Sequence, residues 1–331
     1  MLAILAAGAI TAVGPTLAQT MRSLQKRTQV FDDLEVKGQD GDPVSGVCAR
    51  VPKGLRGANR LAAMAAVALE ECARSAGRAE VPLLLCAPDP KDLPYRPEPV
   101  LDEIVLRTSL HIDRRRSRVL ARGRAGIGEA LVSAAALLSD RRTLACAVGG
   151  VDTFIDTTRV KDLLKEGRII VPDNSDGFVP GEGAAVLLLS SRTDVASLAC
   201  LASVATAREP ANRISGLPAT GLGLQQAMTN ALGQARLRMI DLGYLAHDCS
   251  GEQRPFDELS LTLARMGEQS GQLEQWGPAT CVGEVGAAAG FLSLAMLASF
   301  QRERLLTQPG LAVFSCDGEE RGAAVVVPSR K

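Results

Sequence analysis

A turn rich in glycine and proline, followed by a dense apolar strand, is the most constraining feature of the 331-residue chain. The turn runs from Asp176 to Ala184 with the sequence DGFVPGEGA, and the apolar segment behind it ends at Ser190. Glycine permits backbone conformations and close approaches that other residues cannot make, whereas proline fixes its own φ angle. Three glycines and a proline around one phenylalanine and one glutamate therefore predict a rigid, closely packed turn.

Apolar segments with the length of strands alternate with segments of helical periodicity along the chain. This alternation predicts an α/β fold. Its core would consist of Ala, Leu and Val, because 46% of the residues are apolar but only 3% are aromatic. The segments 30–54 and 87–118 show no clear period and are predicted to be irregular. Strands are predicted over 2–7, 81–86, 143–148, 184–190, 195–206, 242–246, 310–316 and 322–327, and helices from about 16 and over 55–75, 128–139, 220–238, 254–265 and 285–300.

The charge balance and the composition argue against two classes of partner. The 37 Lys and Arg residues equal the 37 Asp and Glu residues in number, so no net field attracts nucleic acid or anionic lipid. The scarcity of aromatic residues also argues against a surface on which bases stack. The sequence therefore predicts neither a nucleic-acid partner nor a membrane partner.

The eight cysteines are scattered, and the chain has only two histidines. No two cysteines form a C-x-x-C pair, so no zinc or other metal site is predicted. Isolated cysteines in a chain of this size are typical of reduced thiols in a cytoplasmic protein. The glycine-rich segment 122–128 lacks the G-x-G-x-x-G pattern of a dinucleotide loop, and no cofactor is predicted.

The apolar N-terminus, MLAILAAGAITAVGPTLAQ, is similar in composition to a signal peptide. A secretory signal begins with a basic region, but the first basic residue here is Arg22. The apolar segment is also interrupted by Gly8, Gly14 and Pro15, which makes it too short to span a membrane. We therefore expect a buried first strand, then a turn and a helix, in a protein of the cytoplasm.

The turn Asp176–Ala184 resembles the DGFVPGEGA turn of the β-ketoacyl synthases, which belong to the thiolase superfamily. Further glycine-containing segments match that family in the same order along the chain: Gly8–Gly14, Gly149-Gly150 and Gly286–Gly290. The resemblance covers most of the chain, with a contraction between about residues 78 and 120. The strand over 143–148 is expected to end at Gly149-Gly150.

This resemblance implies a thiolase-like fold, a five-layered αβαβα sandwich made of two pseudo-duplicated α/β halves. The boundary between the halves is placed after residue 192, which gives an N-terminal half over 1–192 and a C-terminal half over 193–331. Members of the family pair through a central strand, so the resemblance also implies a homodimer.

Condensing enzymes of this family use a cysteine at a helix N-terminus, where backbone dipoles favour the thiolate that attacks an acyl thioester. Counting back from Gly149-Gly150 by the family spacing leads to Arg124 instead of a cysteine. Cys146 is the nearest cysteine in the sequence, but it falls within a predicted strand, which favours a buried core thiol. The resemblance therefore implies that the nucleophile is absent.

Two histidines, or a histidine and an asparagine, assist that cysteine by stabilising the carbanion and the oxyanion. The first histidine position falls in the segment 244–252, where counting forward gives His247, one residue short, and counting back from Asp257 gives Cys249. The second position is occupied by Glu284, which cannot donate a hydrogen bond when it is ionised. His247 is either a displaced catalytic base or, as we favour, a partly exposed polar residue at a strand end.

The replacing residues Arg124, Asp248 and Glu284 would converge in the old catalytic pocket. Buried charges are tolerated when they are paired, so we expect an ion-pair cluster that plugs a non-functional site. An alternative is a polar site for an anion or a peptide, which would use the backbone amides of Gly126–Gly128. The basic segment 113–118 is expected to be a solvated loop, although relatives use such surfaces to dock acyl carrier protein.

Two functions of different classes remain open. The first is a non-catalytic accessory protein that acts through protein contacts. The segments Asp248–Glu252 and Gly283-Glu284 resemble short degenerate synthase-like proteins encoded beside type VI secretion effectors, which implies an adaptor for a secretion effector. The second is an acyl-transferring or 3-oxoacyl synthase-type enzyme with Cys249 as a relocated nucleophile, His247 or Glu284 as its base, and acyl carrier protein as its partner. A chain-length-factor-like partner of a true synthase lies between the two.

Overall fold

The computed structural model describes residues 1–52, 54–140, 142–267 and 273–329. Strands and helices alternate along these residues, as the sequence predicts. The strands are β1 (Leu2–Thr11), β2 (Asp32–Lys37), β3 (Pro43–Gly46), β4 (Leu83–Ala87), β5 (Arg118–Ala121), β6 (Cys146–Thr153), β7 (Glu182–Ser190), β8 (Ala199–Arg208), β9 (Tyr244–His247), β10 (Glu274–Trp276), β11 (Gly310–Ser315) and β12 (Glu320–Pro328). The helices are α1 (Leu17–Gln25), α2 (Gly57–Ala76), α3 (Glu98–Val105), α4 (Gly126–Ser139), α5 (Thr157–Lys165), α6 (Leu222–Ala235), α7 (Gln253–Met266), α8 (Ala279–Val282) and α9 (Ala289–Arg302).

Ten of these strands form one continuous sheet in the order β10-β9-β11-β12-β8-β1-β7-β6-β4-β5. The N-terminal five and the C-terminal five have the same internal order. In the N-terminal set, β7 pairs antiparallel with β1 and β6, and β4 pairs parallel with β6 and β5. In the C-terminal set, β12 pairs antiparallel with β8 and β11, and β9 pairs parallel with β11 and β10. The two sets join where β1 meets β8, with Leu2 opposite Leu201. The same connectivity thus occurs twice.

Helices cover the sheet in layers. Helix α2 packs on the outer face of the N-terminal strands with α3 beside it, and α6 packs on the outer face of the C-terminal strands with α7 beside it. Between the two sets of strands lie α4 and α9, and α9 is buried on almost every side. A helix that is apolar all round suits such a central position. The predicted five-layered αβαβα sandwich is therefore confirmed, whereas the boundary at residues 192 and 193 stays a prediction.

The N-terminal segment forms β1, which lies in the middle of the sheet. The predicted buried strand is confirmed, but it continues past the predicted end at residue 7 to Thr11. Helix α1 begins after Thr16, whose side chain accepts a hydrogen bond from the amide of Gln19. Helix α2 ends at Gly77, where φ is +62°. Among the helices in the described ranges, none is long and apolar enough to cross a membrane.

Three expectations from the sequence were wrong. The segment 30–54 contains the antiparallel pair β2 and β3, whose inward residues include Val36 and Val44, and the segment 87–118 contains α3. Short amphipathic elements between glycines and prolines give a weak periodic signal. Strand β6 continues through Gly149 and Gly150 to Thr153 instead of ending there. The two glycines let neighbouring backbone approach within a distance at which a Cβ atom would clash.

The turn Asp176–Ala184 is as closely packed as its glycines predict. A Cβ atom on Gly181 would lie 2.3 Å from the carbonyl oxygen of Val282. The Glu182 carboxylate is fully buried, and its Oε2 accepts hydrogen bonds from the guanidinium of Arg60, at 2.7 Å, and from the hydroxyl of Thr153, at 3.0 Å. The turn is thus fixed by backbone contact on one side and by a buried ion pair on the other.

Gly150 tests this close packing, because a Cβ atom there would lie 1.9 Å from the carbonyl oxygen of Ala287. We expect Gly150→Ala to lower the free energy of unfolding by about 1–3 kcal/mol, since backbone must move to make room. Gly233 is the matched control: it is exposed within α6 and has no atom within 4 Å of a new Cβ. Gly233→Ala should raise stability by about 0.5–1 kcal/mol. Urea unfolding followed by circular dichroism measures both values, and equal effects would contradict the packing.

Candidate functional site

The candidate site is a cleft at the start of the central helix α4. Arg124 lies in a single 3₁₀ turn, Gly123–Ala125, between the edge strand β5 and α4. Gly123 has a φ of +55°, a conformation that favours glycine. The turn therefore presents Arg124 at a helix N-terminus, which is the position that the resemblance to condensing enzymes assigns to their nucleophile.

The Arg124 guanidinium binds both of the carboxylates that the sequence pointed to. Its Nη1 lies 2.9 Å from Oδ2 of Asp248, and its Nε lies 3.2 Å from Oε1 of Glu284. Its Nη2 donates to the second oxygen of Glu284, which makes that pair bidentate. Asp248 follows β9 and Glu284 precedes α9, so three separate segments of the chain meet here. The structure thus brings the three residues together as a buried ion-pair cluster.

The carboxylate oxygens of this cluster accept further hydrogen bonds. Glu284 Oε1 accepts from the amide of Gly286 at 2.6 Å, and its Oε2 accepts from the hydroxyl of Ser250. Burial acts to raise the pKa of Glu284, but Arg124 and these donors outweigh it and hold that pKa below its usual range. Burial raises the pKa of Asp248, although Arg124 and the amide of Ser315 oppose the rise.

The segment Asp248–Glu252, called here the plug loop, is held at every polar residue. Its Glu252 accepts hydrogen bonds from Arg168 at 3.0 and 2.7 Å and pairs with Arg213 at 2.8 Å. Its Gly251 lies against Gly177, where a Cβ atom would come within 2.3 Å of the carbonyl oxygen. The plug loop is therefore seated directly on the turn that resembles the synthase family.

His247 and Cys249 lie outside the cleft. His247 is 8% exposed, packs edge-on to Phe256 with ring centroids 5.8 Å apart, and has no hydrogen-bond partner at Nδ1 within the described residues. The expectation that His247 is partly exposed was wrong, because Gly277 leaves room for the ring to lie against the backbone. Cys249 is buried in the C-terminal core, and burial raises the pKa of its thiol well above the usual range. The side chain of Cys146 is also buried, which raises its pKa to about 12.

The cleft has a volume of about 1070 Å³ and is lined by charged side chains of both signs. Arg159 binds Asp152 at 2.6 Å, and Arg168 binds Asp317 at 2.7 Å. The amide of Gly126 is taken up by carbonyls of the preceding 3₁₀ turn, so it is not free to bind an anion. Over the described residues, no group of three or more His, Cys, Asp or Glu side chains is arranged to hold a metal ion.

Sequence reasoning missed several residues of this site: Ser250, which bonds to Glu284, and Arg159, Arg168 and Arg213, which form ion pairs beside it. Arg168 lies 84 residues from Glu252 and 149 from Asp317 along the chain. Residues this far apart in the sequence share no local pattern, so the sequence alone does not predict that they form ion pairs. The only available signal was indirect, namely the number of charges in the segments that replace the family motifs.

Comparison with known proteins gives the class of fold. No family model matches the sequence, and no curated protein matches it. Among solved structures, the oxazolomycin ketosynthase domain OzmH KS7 of Streptomyces albus JA3453 is similar, with a TM-score of 0.79 and 15% identity over 100% of this chain and 75% of that one. The complex AntDE:AntF, a type II PKS acyl-carrier protein with its ketosynthase, gives a TM-score of 0.79 and 14% identity over 99% of both chains.

A third similar structure is the ketosynthase ApeO in complex with its chain length factor ApeC from Xenorhabdus doucetiae. It gives a TM-score of 0.74 and 14% identity over 99% of this chain and 98% of that one. Identities this low show the fold alone. The chain therefore has the thiolase-like fold of ketosynthases and chain length factors.

The ion-pair cluster is tested by Arg124→Met, which leaves the carboxylates of Asp248 and Glu284 buried without their cation. We expect a loss of about 3–5 kcal/mol in the free energy of unfolding, because an unpaired buried charge is very unfavourable. Arg122→Met is the matched control, since Arg122 pairs with Glu129 and Glu320 at the surface and should lose less than about 1 kcal/mol. Urea unfolding at neutral pH measures both losses in the free energy of unfolding. Equal losses would contradict a stabilising role of the ion-pair cluster.

His247 gives a prediction for pH dependence. Burial lowers its pKa to about 4 from the ordinary value of 6.5. Between these values the folded state binds fewer protons at His247 than the unfolded state, so stability falls as the pH falls from 6.5 towards 4. His247→Gln should remove this part of the slope, worth about 3 kcal/mol in total. A pH series of urea midpoints measures the slope in both chains, and an equal slope in His247→Gln and the natural chain would contradict this prediction.

Proposed function

We propose that the chain is a non-catalytic, ketosynthase-like accessory protein that acts through protein contacts. One observation carries the proposal: Arg124 stands at the start of α4, and both of its partner carboxylates are buried beside it. A condensing enzyme needs a nucleophile at this position to form its covalent acyl intermediate. A guanidinium that stays protonated and is held by two carboxylates cannot form that intermediate.

The thiols near the cleft support the same conclusion. The thiolate, not the thiol, is the reactive form of cysteine. Cys249 is buried away from the cleft, and its raised pKa keeps it protonated at neutral pH. Cys316 lines the cleft, but burial and the neighbouring Glu320 raise its pKa to about 12. Neither thiol is suited to attack an acyl thioester.

The enzymatic alternative rests on one contact, the hydrogen bond from the Ser250 hydroxyl to Glu284. A serine bound to a carboxylate could serve as a nucleophile with its base. Glu284 is a poor base here, because Arg124 binds both of its oxygens and lowers its pKa. The cleft is also lined by charged side chains, whereas an acyl chain would need apolar walls. We therefore favour the accessory role.

A homodimer is the simplest protein contact to expect. Strand β5 is at one edge of the large sheet, with its outer edge unpaired among the described residues, and α4 packs beside it. Helix α4 carries a single charged residue, Glu129, and its Val132 is half exposed, so the surface of the helix is mainly apolar. An unpaired edge and an exposed apolar helix face are the features that a second copy would cover.

Two finer roles follow from different observations. The similar structure of ApeO with its chain length factor ApeC favours a chain-length-factor-like partner of a true synthase. The sequence of the plug loop and Gly283-Glu284 favours an adaptor for a type VI secretion effector in the cytoplasm. Acyl carrier protein is the partner expected in the enzymatic alternative. In the basic segment 113–118, Arg114 and Arg116 are paired with Asp102 and Asp113, whereas Arg115 and Arg118 are exposed.

Acylation tests the proposed function. The purified chain is incubated at neutral pH with an acyl thioester of N-acetylcysteamine, and its intact mass is measured alongside that of an active ketosynthase. We expect acylation of the ketosynthase alone, because among the described residues no activated nucleophile lines the cleft. An adduct on this chain that disappears in Cys249→Ala or Ser250→Ala would overturn the accessory role.

Light scattering after gel filtration tests the dimer. We expect twice the mass of one chain for the natural protein and a monomer for Val132→Arg, because a charge would be buried in the contact. Leu305→Arg is the matched control, since Leu305 is equally exposed but lies after α9, and it should remain a dimer. A monomeric natural protein, or dimers of both variants, would contradict this interface.

A further inference from the structure

The loop between β8 and α6, residues 209–221, forms one edge of the cleft and is called here the mouth loop. Its first residue, Glu209, is fully buried and organises the loop around its carboxylate. That carboxylate accepts hydrogen bonds from the amide of Ala211 at 3.1 Å, the hydroxyl of Thr220 at 2.8 Å and the amide of Gly223 at 3.0 Å. The two ends of the mouth loop are therefore tied together.

The middle of the mouth loop is held as firmly. Arg254 donates to the carbonyl oxygens of Ala211, at 2.7 Å, and Leu217, at 2.8 Å. Arg213 pairs with Glu252 of the plug loop at 2.8 Å, which ties the mouth loop to the buried cluster. A loop with this many internal hydrogen bonds loses little further entropy when it binds a partner.

This firmly held loop nevertheless exposes two large apolar side chains. Ile214 is 80% exposed and Leu217 is 52% exposed. Single exposed apolar residues are common on protein surfaces. Two within four residues, on a firmly held loop at the edge of a large cleft, instead form a small exposed apolar patch against which the apolar side chains of a partner can pack. Ile214 itself lines the cleft, and its amide lies 3.4 Å from the carbonyl oxygen of Asp317 on the opposite turn.

The charges of the cleft indicate the chemistry of the occupant. Asp92 and Glu166 line it and form no ion pair within the described ranges. Arg254 is the one lining cation without an ion pair in those ranges, and its guanidinium is already held by the carbonyl oxygens of Ala211 and Leu217. Arg124, which also lines the cleft, binds two carboxylates, those of Asp248 and Glu284, so this cluster has an excess of negative charge. The two carboxylates without an ion pair and the excess of carboxylates around Arg124 favour a cationic occupant over an anionic one.

We propose that the mouth loop and the cleft bind an extended segment of a partner protein. This segment presents apolar side chains to Ile214 and Leu217 and basic side chains to the cleft. The proposal rests on the proposed accessory function, to which it adds a binding surface and the chemistry of the partner. The carboxylates of Asp92 and Glu166 receive the basic side chains, and the rigid mouth loop supplies the apolar anchor.

Three fluorescein-labelled peptides of about 12 residues test the proposal. Each has the same central pair of leucines, flanked by lysines in the first, by glutamates in the second and by serines in the third. Fluorescence anisotropy with the full chain should show the lysine peptide binding at least about tenfold more tightly than the other two. This preference should weaken as salt is added, because the attraction is electrostatic.

Variants locate the binding surface. The double variant Ile214→Glu with Leu217→Glu should weaken binding of the lysine peptide at least about tenfold, because it removes the apolar anchor. Leu305→Glu, at an equally exposed leucine elsewhere, should bind like the natural chain. The double variant Asp92→Asn with Glu166→Gln should reduce the preference for lysine over serine. Circular dichroism verifies that each variant is folded.

Three results would overturn the inference: equal binding of the three peptides, no binding of any, or binding that Ile214→Glu with Leu217→Glu leaves unchanged. These results are distinguishable from failure of the proposed function. An acyl adduct with intact peptide binding would contradict the accessory role alone, whereas absent peptide binding without an adduct would contradict this inference alone.

Discussion

The ion pairs of Arg124 with Asp248 and Glu284 join the two halves of the fold at its centre. Arg124 comes from the N-terminal strands and helices, and both carboxylates come from the C-terminal ones. Ions removed from water are strongly destabilised unless each is paired and hydrogen-bonded. The geometry around the cluster meets this requirement, because the amides of Gly286 and Ser315 and the hydroxyl of Ser250 supply the remaining donors. The pairing of both buried carboxylates therefore depends on one guanidinium, that of Arg124.

The scaffold and the site follow different constraints. The turn Asp176–Ala184 fits its surroundings only with glycine at Gly177 and Gly181, and the plug loop rests on it through Gly251. The amide of Gln253 also donates to Asp176 at 2.6 Å, so the start of α7 is fixed by the same turn. The glycines of this turn are thus required by the packing of the fold.

Much of the fold could be predicted from the sequence, because buried strands and long amphipathic helices leave a periodic signal. Helix α2 and the pair β11 and β12 are examples. Arg124, Asp248 and Glu284 could be predicted through their positions relative to glycine motifs. The roles of Arg168 and Ser250 could not, because their partners are distant in sequence. The burial of His247 depends on the space beside Gly277, which no local pattern reveals.

A double-mutant cycle in urea unfolding, with Arg124→Met, Glu284→Met and the two combined, tests the central claim most directly. If the buried ion pair holds the cleft, removing both partners should cost much less than the sum of the single losses, with a coupling of at least about 1 kcal/mol. Single losses that add to within about 0.5 kcal/mol would show that the two side chains act independently. That result would contradict the account of the site as a plugged pocket.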